Sequence, residues 1–350
     1  MYGAIEMPYL PGKIVVSGAN GRNGYSTLLR LMGLPGVSEL VALVPESRFI
    51  DEVKDRLRAY EESLSSHSHP EVLVTDDPEA AKHAQVWMNW KGINLATLQK
   101  QHPDMEKEAK EKGIHLRDLL LEANLRIALE DAKNAANFSP NCIYLQQGNP
   151  VDVLARAVGK FLPKERVLST GTMMEFNRWQ KLVEREFPEI SFERATGLYI
   201  GEHGELAVPV KERLLIGGLT AEEYIRETHG KAGLEKLERI YADVNNEAFW
   251  LREHTGATPS EGPSAVTFDF VQALLRPSRK STVFGAIAYV SGAYGLKDIC
   301  LSVPVAVNSE GGRVLEVQFS KEATEDFYKA AEHISAMNQA ADKLMDGLSP

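Results

Sequence analysis

An apolar run, Lys13-Ile14-Val15-Val16-Ser17, feeds directly into Gly18-Ala19-Asn20-Gly21-Arg22-Asn23-Gly24 and then into apolar residues at helical spacing over 26–32. A buried strand, a glycine turn and a helix in that order leave few folds open. Glycines at these positions allow a tight turn, close backbone approach to a pyrophosphate and tight helix-to-strand packing. The helix N-terminus adds partial positive charge for a phosphate. Gly18, Asn20, Gly21, Arg22, Asn23 and Gly24 are therefore candidate cofactor-binding residues; the plainer alternative is a structural turn.

The alternation continues. Apolar strands are expected over 39–44, 71–75, 86–90 and 142–146, with helices over 48–65 and 116–134 and a helix start at Asp77-Pro78. Such alternation predicts an α/β fold, a Rossmann-type doubly wound parallel sheet. Past Leu154 the pattern changes to helices over 176–186, 221–237, 263–275 and 322–348, mixed with a meander over 282–290, 303–307 and 314–319. The expectation is a dinucleotide-binding domain over 1–154 and a C-terminal α+β substrate domain over 155–350. A length of 350 residues accommodates two such lobes.

A formal charge of −10 argues against nucleic acid or an anionic membrane as partner, since both need clustered Lys and Arg. No apolar run approaches membrane-spanning length, and residues 1–13 lack a basic stretch followed by an apolar one. Cys142 and Cys300 lie far apart in apolar surroundings, without metal spacing. They read as reduced core residues of a cytoplasmic protein. No metal site is expected.

The end of the second strand bears on the choice of nucleotide. There the chain reads Leu43-Val44-Pro45-Glu46-Ser47-Arg48, with no Asp or Glu at the strand tip to meet an adenosine ribose. Ser47 and Arg48 suit a 2′-phosphate, which favours NADP(H) over NAD(H). Alternatively, Arg48 is a solvated residue opening the next helix.

Three segments carry possible chemistry. His203, in Gly201-Glu202-His203-Gly204-Glu205, has little packing around it and is of a residue type suited to giving and taking protons. Alone, such a histidine is as readily a surface residue. Glu175 and Arg178 are three apart on one helix face, which permits either a simple salt bridge or two separate roles. In the second case Glu175 orients the His203 ring and Arg178 takes a substrate carboxylate as a bidentate pair. Arg117, at the start of the helix expected over 116–134, could polarise a carbonyl or simply face solvent. Together these suggest movement of a hydride and a proton.

With these residues placed, the chain resembles the lactate/malate dehydrogenase superfamily. The matching segments, in order, are Gly18 to Gly24, Asn149-Pro150-Val151-Asp152, Gly171 to Trp179, Gly201 to Glu205 with Val208-Pro209-Val210, and Gly292-Ala293-Tyr294-Gly295-Leu296-Lys297-Asp298. The resemblance implies that His203 is the proton donor and acceptor and that Glu175 stands where relatives have a histidine-orienting aspartate. It implies that Arg178 anchors the substrate carboxylate, that Arg117 belongs to a closing loop, and that Asn149 lies beside nicotinamide and substrate. It also implies a cis Asn149-Pro150 bond and a homodimer or homotetramer.

Departures are as informative. Glutamate at 175 is one methylene longer than aspartate. Asn89-Trp90-Lys91-Gly92-Ile93 replaces a glycine-rich phosphate loop, with only Gly92 in register. The charged segment 93–116 is long and reads as a lid, part of which could be a small extra helix. Residues 255–263 carry a proline and a glutamate at the pocket wall. The expected function is hydride transfer between a nicotinamide cofactor and a 2-hydroxy or 2-oxo acid of non-standard type. The rival is a non-catalytic nucleotide-binding protein of structural or sensing role.

Overall fold

In the computed structural model, residues 12–62, 69–112, 119–190, 196–255, 260–277 and 279–347 are described. The N-terminal half runs β1 (Gly12–Ser17), α1 (Arg22–Leu31), β2 (Val37–Leu43), α2 (Ile50–Glu61), β3 (Glu71–Thr75), β4 (Val86–Asn89), α3 (Leu95–Gln101), α4 (Met105–Lys112), α5 (Leu121–Phe138), β5 (Ile143–Gln146), α6 (Val151–Val158) and β6 (Val167–Ser169). Then follow α7 (Met173–Glu186), β7 (Tyr199–Gly201), β8 (Ala207–Pro209), β9 (Leu215–Ile216), β10 (Leu219–Thr220), α8 (Ala221–Thr255), α9 (Glu261–Leu274), β11 (Thr282–Val290), β12 (Ile299–Asn308), β13 (Gly311–Val314) and α10 (Lys321–Asp346).

Among the described residues, strands β3-β2-β1-β4-β5-β6 lie side by side, all parallel, as expected of a doubly wound sheet. β1 and β4 are completely or nearly covered on both faces, which explains their unbroken apolar runs. The order reverses between β1 and β4, where an open α/β sheet forms a crevice outside its strand ends.

Among the described residues of the second half, only β9 and β10 form a separate, two-stranded sheet. β11 pairs antiparallel with β6, and β12, β7 and β8 follow, so the sheet continues across both halves. Position 154, expected as a boundary, falls inside α6, nearly all of which is buried. The meander is present as β11-β12-β13, but its last strand is Gly311–Val314 rather than residues 314–319. Backbone pairing of Val305 with Val314 ends there, and Leu315 N instead bonds Pro304 O.

Helix α5 begins at Leu121 and runs to Phe138, later at both ends than expected. Its buried stripe contains Leu121, Leu125, Ala128, Leu129, Ala132 and Ala135, and also two polar residues, Asn124 and Asp131. These are seven apart and so share a face. Residues 93–112 are not an open loop: they carry α3 and α4. α8 extends far beyond the expected 237 and is broken at Gly230, where φ is +62°. α9 crosses α1, where Ser26 Oγ and Arg30 Nε both donate to Ser264 Oγ at 2.9 Å. No described helix is long and apolar enough to cross a membrane.

Candidate active site

The glycine turn closes β1 onto α1. Gly18 has φ +83°, and a Cβ there would lie 2.8 Å from Lys91 N. A Cβ on Gly24 would lie 2.2 Å from Gly18 O, so no side chain fits at either place. The turn is pinned by Gly18 N donating to Leu43 O at 2.8 Å and Gly21 N donating to Gly18 O at 3.0 Å. Beyond it Asn20 is half-buried, Arg22 is exposed and Asn23 is half-buried. This bare backbone cradle fits a dinucleotide phosphate.

At the tip of β2 the residue is Val44, only 1% exposed. Ser47 and Arg48 form a short exposed turn, and Arg48 Nη2 donates to Glu46 Oε1 at 2.8 Å. A second arginine, from α2, does reach the glycine turn: Arg56 Nη1 donates to Asn20 O at 3.4 Å, and its guanidinium sits 3.6 Å from the Tyr25 ring centre. Sequence reasoning passed over Arg56 as an ordinary charged residue of α2.

Across the crevice, Asn149 precedes a cis bond to Pro150. Its carbonyl accepts from Asn124 Nδ2 at 2.7 Å. The same Asn124 also accepts from Ile93 N at 2.6 Å and donates to Ile93 O at 3.0 Å. One buried side chain of α5 thus fastens two of the loops at the strand ends. Its only sequence signal was a polar residue on an apolar stripe.

The candidate acid–base group assembles from α7 and the β7–β8 connection. Glu175 is fully buried in the first turn of α7. Its Oε1 accepts from Arg178 Nη1 at 3.0 Å, and its Oε2 lies 3.4 Å from His203 Nδ1. The carboxylate thus pairs within its helix, the first reading of the spacing, and also faces the histidine. His203 is held from behind as well, its backbone N donating to Asp152 Oδ2 at 3.2 Å. Asp152 is a buried residue of α6 whose role the sequence reading left unassigned. Buried Glu202 closes the same connection by accepting from Leu206 N at 2.8 Å. The side chains of His203 and Arg178 keep 19% and 13% of their exposure, so both remain reachable.

Arg117 and residues 256–259 of the pocket wall lie outside the described residues. Among the described residues, no group of His, Cys, Asp or Glu is arranged to hold a metal ion.

Comparison with known proteins agrees with this architecture. Residues 12–169 match the family model for the lactate/malate dehydrogenase NAD binding domain. The chain is 33% identical over 213 residues to L-lactate dehydrogenase 2 of Peribacillus psychrosaccharolyticus, covering 59% of this chain and 65% of that enzyme. It is 30% identical over 197 residues to L-lactate dehydrogenase of Bacillus caldotenax, covering 54% of this chain and 59% of that enzyme. These matches span less than two thirds of each relative's length. The fold aligns with the crystal structure of malate dehydrogenase from Plasmodium falciparum at a TM-score of 0.82 and 18% identity, over 95% of this chain and 99% of that one. Residues 12–169 thus match a lactate/malate dehydrogenase NAD binding domain, and the chain as a whole shares the fold of malate dehydrogenase.

Proposed function

We propose that the protein is a nicotinamide-dependent dehydrogenase that interconverts a 2-hydroxy acid and its 2-oxo acid. The observation that carries this reading is the single buried carboxylate of Glu175, set between Arg178 and His203. Such a carboxylate stabilises the protonated imidazole and fixes its ring, which is what a proton donor to a developing alkoxide needs.

In the reducing direction Arg178 binds the substrate carboxylate through two parallel hydrogen bonds. His203 donates its proton to the carbonyl oxygen, and Arg117 polarises that oxygen as charge grows on it. Asn149 binds beside the reacting centre. When bound, the nicotinamide supplies the hydride. Gly18, Asn20, Gly21, Arg22, Asn23 and Gly24 hold its pyrophosphate side, as the Cβ-free approach at Gly18 and Gly24 supports. In the oxidising direction His203 takes the proton back.

For the adenosine ribose, the absence of a carboxylate at Val44 supports NADP(H). The ion pair of Arg48 with Glu46 works against it, because a 2′-phosphate would have to displace that carboxylate. The division of labour falls near residue 154, with residues 1–154 serving the dinucleotide and 155–350 the acid. Cys142 and Cys300, both buried and outside any disulfide, support a reducing compartment such as the cytoplasm. Assembly as a homodimer or homotetramer is carried by the family alone.

The test is oxidation of NADPH and of NADH by purified protein against 2-oxo acids from pyruvate and oxaloacetate to branched, aromatic and sulfonated analogues. Turnover with one acid, faster with NADPH, is the expected result. Binding of either dinucleotide without turnover of any acid contradicts the reading and favours a non-catalytic role.

A further inference from the structure

Behind Glu175 the interior is more polar than packing alone requires. Glu175 and Trp179 stand four apart on α7 and share a face. Trp179 belongs to a buried cluster with Tyr199 of β7 and Tyr241 of α8. Tyr199 is 1% exposed and Tyr241 6%. Among the described residues, neither hydroxyl meets a hydrogen-bonding partner. Both tyrosines also belong to the framework around the acid–base pair. Tyr199 O accepts from Thr172 Oγ1, on the residue that opens α7, at 2.6 Å. One turn beyond Tyr241, Asn245 Nδ2 donates to Glu205 O and Ala207 O, both at 3.0 Å, so α8 grips the connection that carries His203.

Phenylalanine would fill the same space without a hydroxyl. Burying a hydroxyl unpaired is costly, and here two share one apolar cluster. Buried polar groups that the protein leaves unpaired are ordinarily met by an internal water. Burial, then Tyr241 and then Glu175, push the Tyr199 hydroxyl well above its usual value. Burial, with Glu222 and Glu238, does the same for Tyr241. Both phenols therefore keep their protons and can donate. The Glu175 charge acts on the Tyr199 hydroxyl through the interior, so carboxylate and phenol are electrostatic neighbours.

We propose that Tyr199 and Tyr241 are positioning residues of the acid–base pair, their hydroxyls holding an internal water that donates to the Glu175 carboxylate from the side away from solvent. The role, though not the water, rests on the dehydrogenase reading above. A water that accepts from two phenols keeps both of its own protons for donation, and one of them meets the carboxylate. A glutamate carboxylate turns easily about its terminal torsion. Arg178 restrains Oε1 and the imidazole faces Oε2, so a third contact from behind fixes the plane that both share. The charged and titratable groups about the pair are Arg178 on α7, Asp152 on α6, Glu202 on the β7–β8 connection and the two phenols. Losing a donor leaves the carboxylate less stabilised and a tighter holder of the imidazolium proton, which raises the pH at which His203 titrates.

The experiment follows the imidazole carbon signal of His203 through a pH titration of isotopically labelled protein, for wild type, Tyr199→Phe and Tyr241→Phe. The signal is assigned by its loss in His203→Asn, and thermal melting confirms that each variant is folded. The His203 midpoint is expected to rise by about half a pH unit in each phenylalanine variant, and the pH profile of kcat/KM to move with it. A crystal structure of the wild type should show the water within hydrogen-bond distance of both hydroxyls and of Glu175. An unmoved midpoint in either variant overturns the proposal, as does a crystal structure without that water. Wild type that turns over no 2-oxo acid overturns the dehydrogenase reading alone, because the titration is read without substrate.

Discussion

Two buried carboxylates, Asp131 and Glu175, sit in the two halves of one continuous sheet and are built differently. Asp131 accepts from three neutral donors, all of them deeply buried, and pairs with one cation. Glu175 faces one cation and one histidine, and both of these partners remain partly exposed. The first carboxylate is anchored on every side by the fold. The second is anchored by the groups that would themselves meet substrate. The contrast separates a foundation, whose loss is felt in stability, from a working group, whose loss is felt in turnover.

Substitutions can break that contrast, and the largest stability effect is expected at Asp131. Asp131→Ala strands Lys91, Trp87 Nε1 and Tyr144 OH and should lower unfolding free energy by about 3–5 kcal/mol, read by denaturant melts. A loss below about 1 kcal/mol would mean the cluster is not a foundation. Next is Arg178→Lys, which keeps the charge but not the two-pronged contact. It should lower kcat/KM for the oxo acid by about a hundredfold, mostly through KM, with dinucleotide affinity unchanged. An unchanged KM would indicate a substrate without a carboxylate at that end. Smallest is Glu175→Asp, which removes one methylene and shortens the reach toward Arg178 and His203. A fall in kcat of about tenfold is expected, because reacting geometry tolerates little displacement. A rise in kcat would show that the extra methylene is a handicap rather than a fit.

The same contrast explains what could be read from the sequence. The parallel strands were legible because burial on both faces leaves continuous apolar runs such as Ile14-Val15-Val16, and glycines mark their exits. Glu175, Arg178 and His203 were legible because each sits in a short motif whose residue types carry chemistry. Asp131 and Asn124 were not, because a polar residue on a helix reads as solvent-facing unless the neighbouring elements are known. Lys91 was visible only as an oddity, since its partner lies forty residues away on α5. The extent of α3 and α4 was hidden, because α4 is mostly charged and α3 is a run of only seven residues. The continuity of the sheet from β6 into β11 was also hidden, because strand order between distant segments leaves no local pattern.

The most direct test of the account follows dinucleotide binding and turnover together in wild type and His203→Asn. The variant should bind the reduced dinucleotide as wild type does while kcat with the preferred 2-oxo acid falls about a thousandfold, the range general acid catalysis supplies. Turnover near the wild-type rate, or loss of dinucleotide binding along with turnover, would contradict the assignment of acid–base chemistry to His203 and of cofactor binding to the opposite half of the sheet.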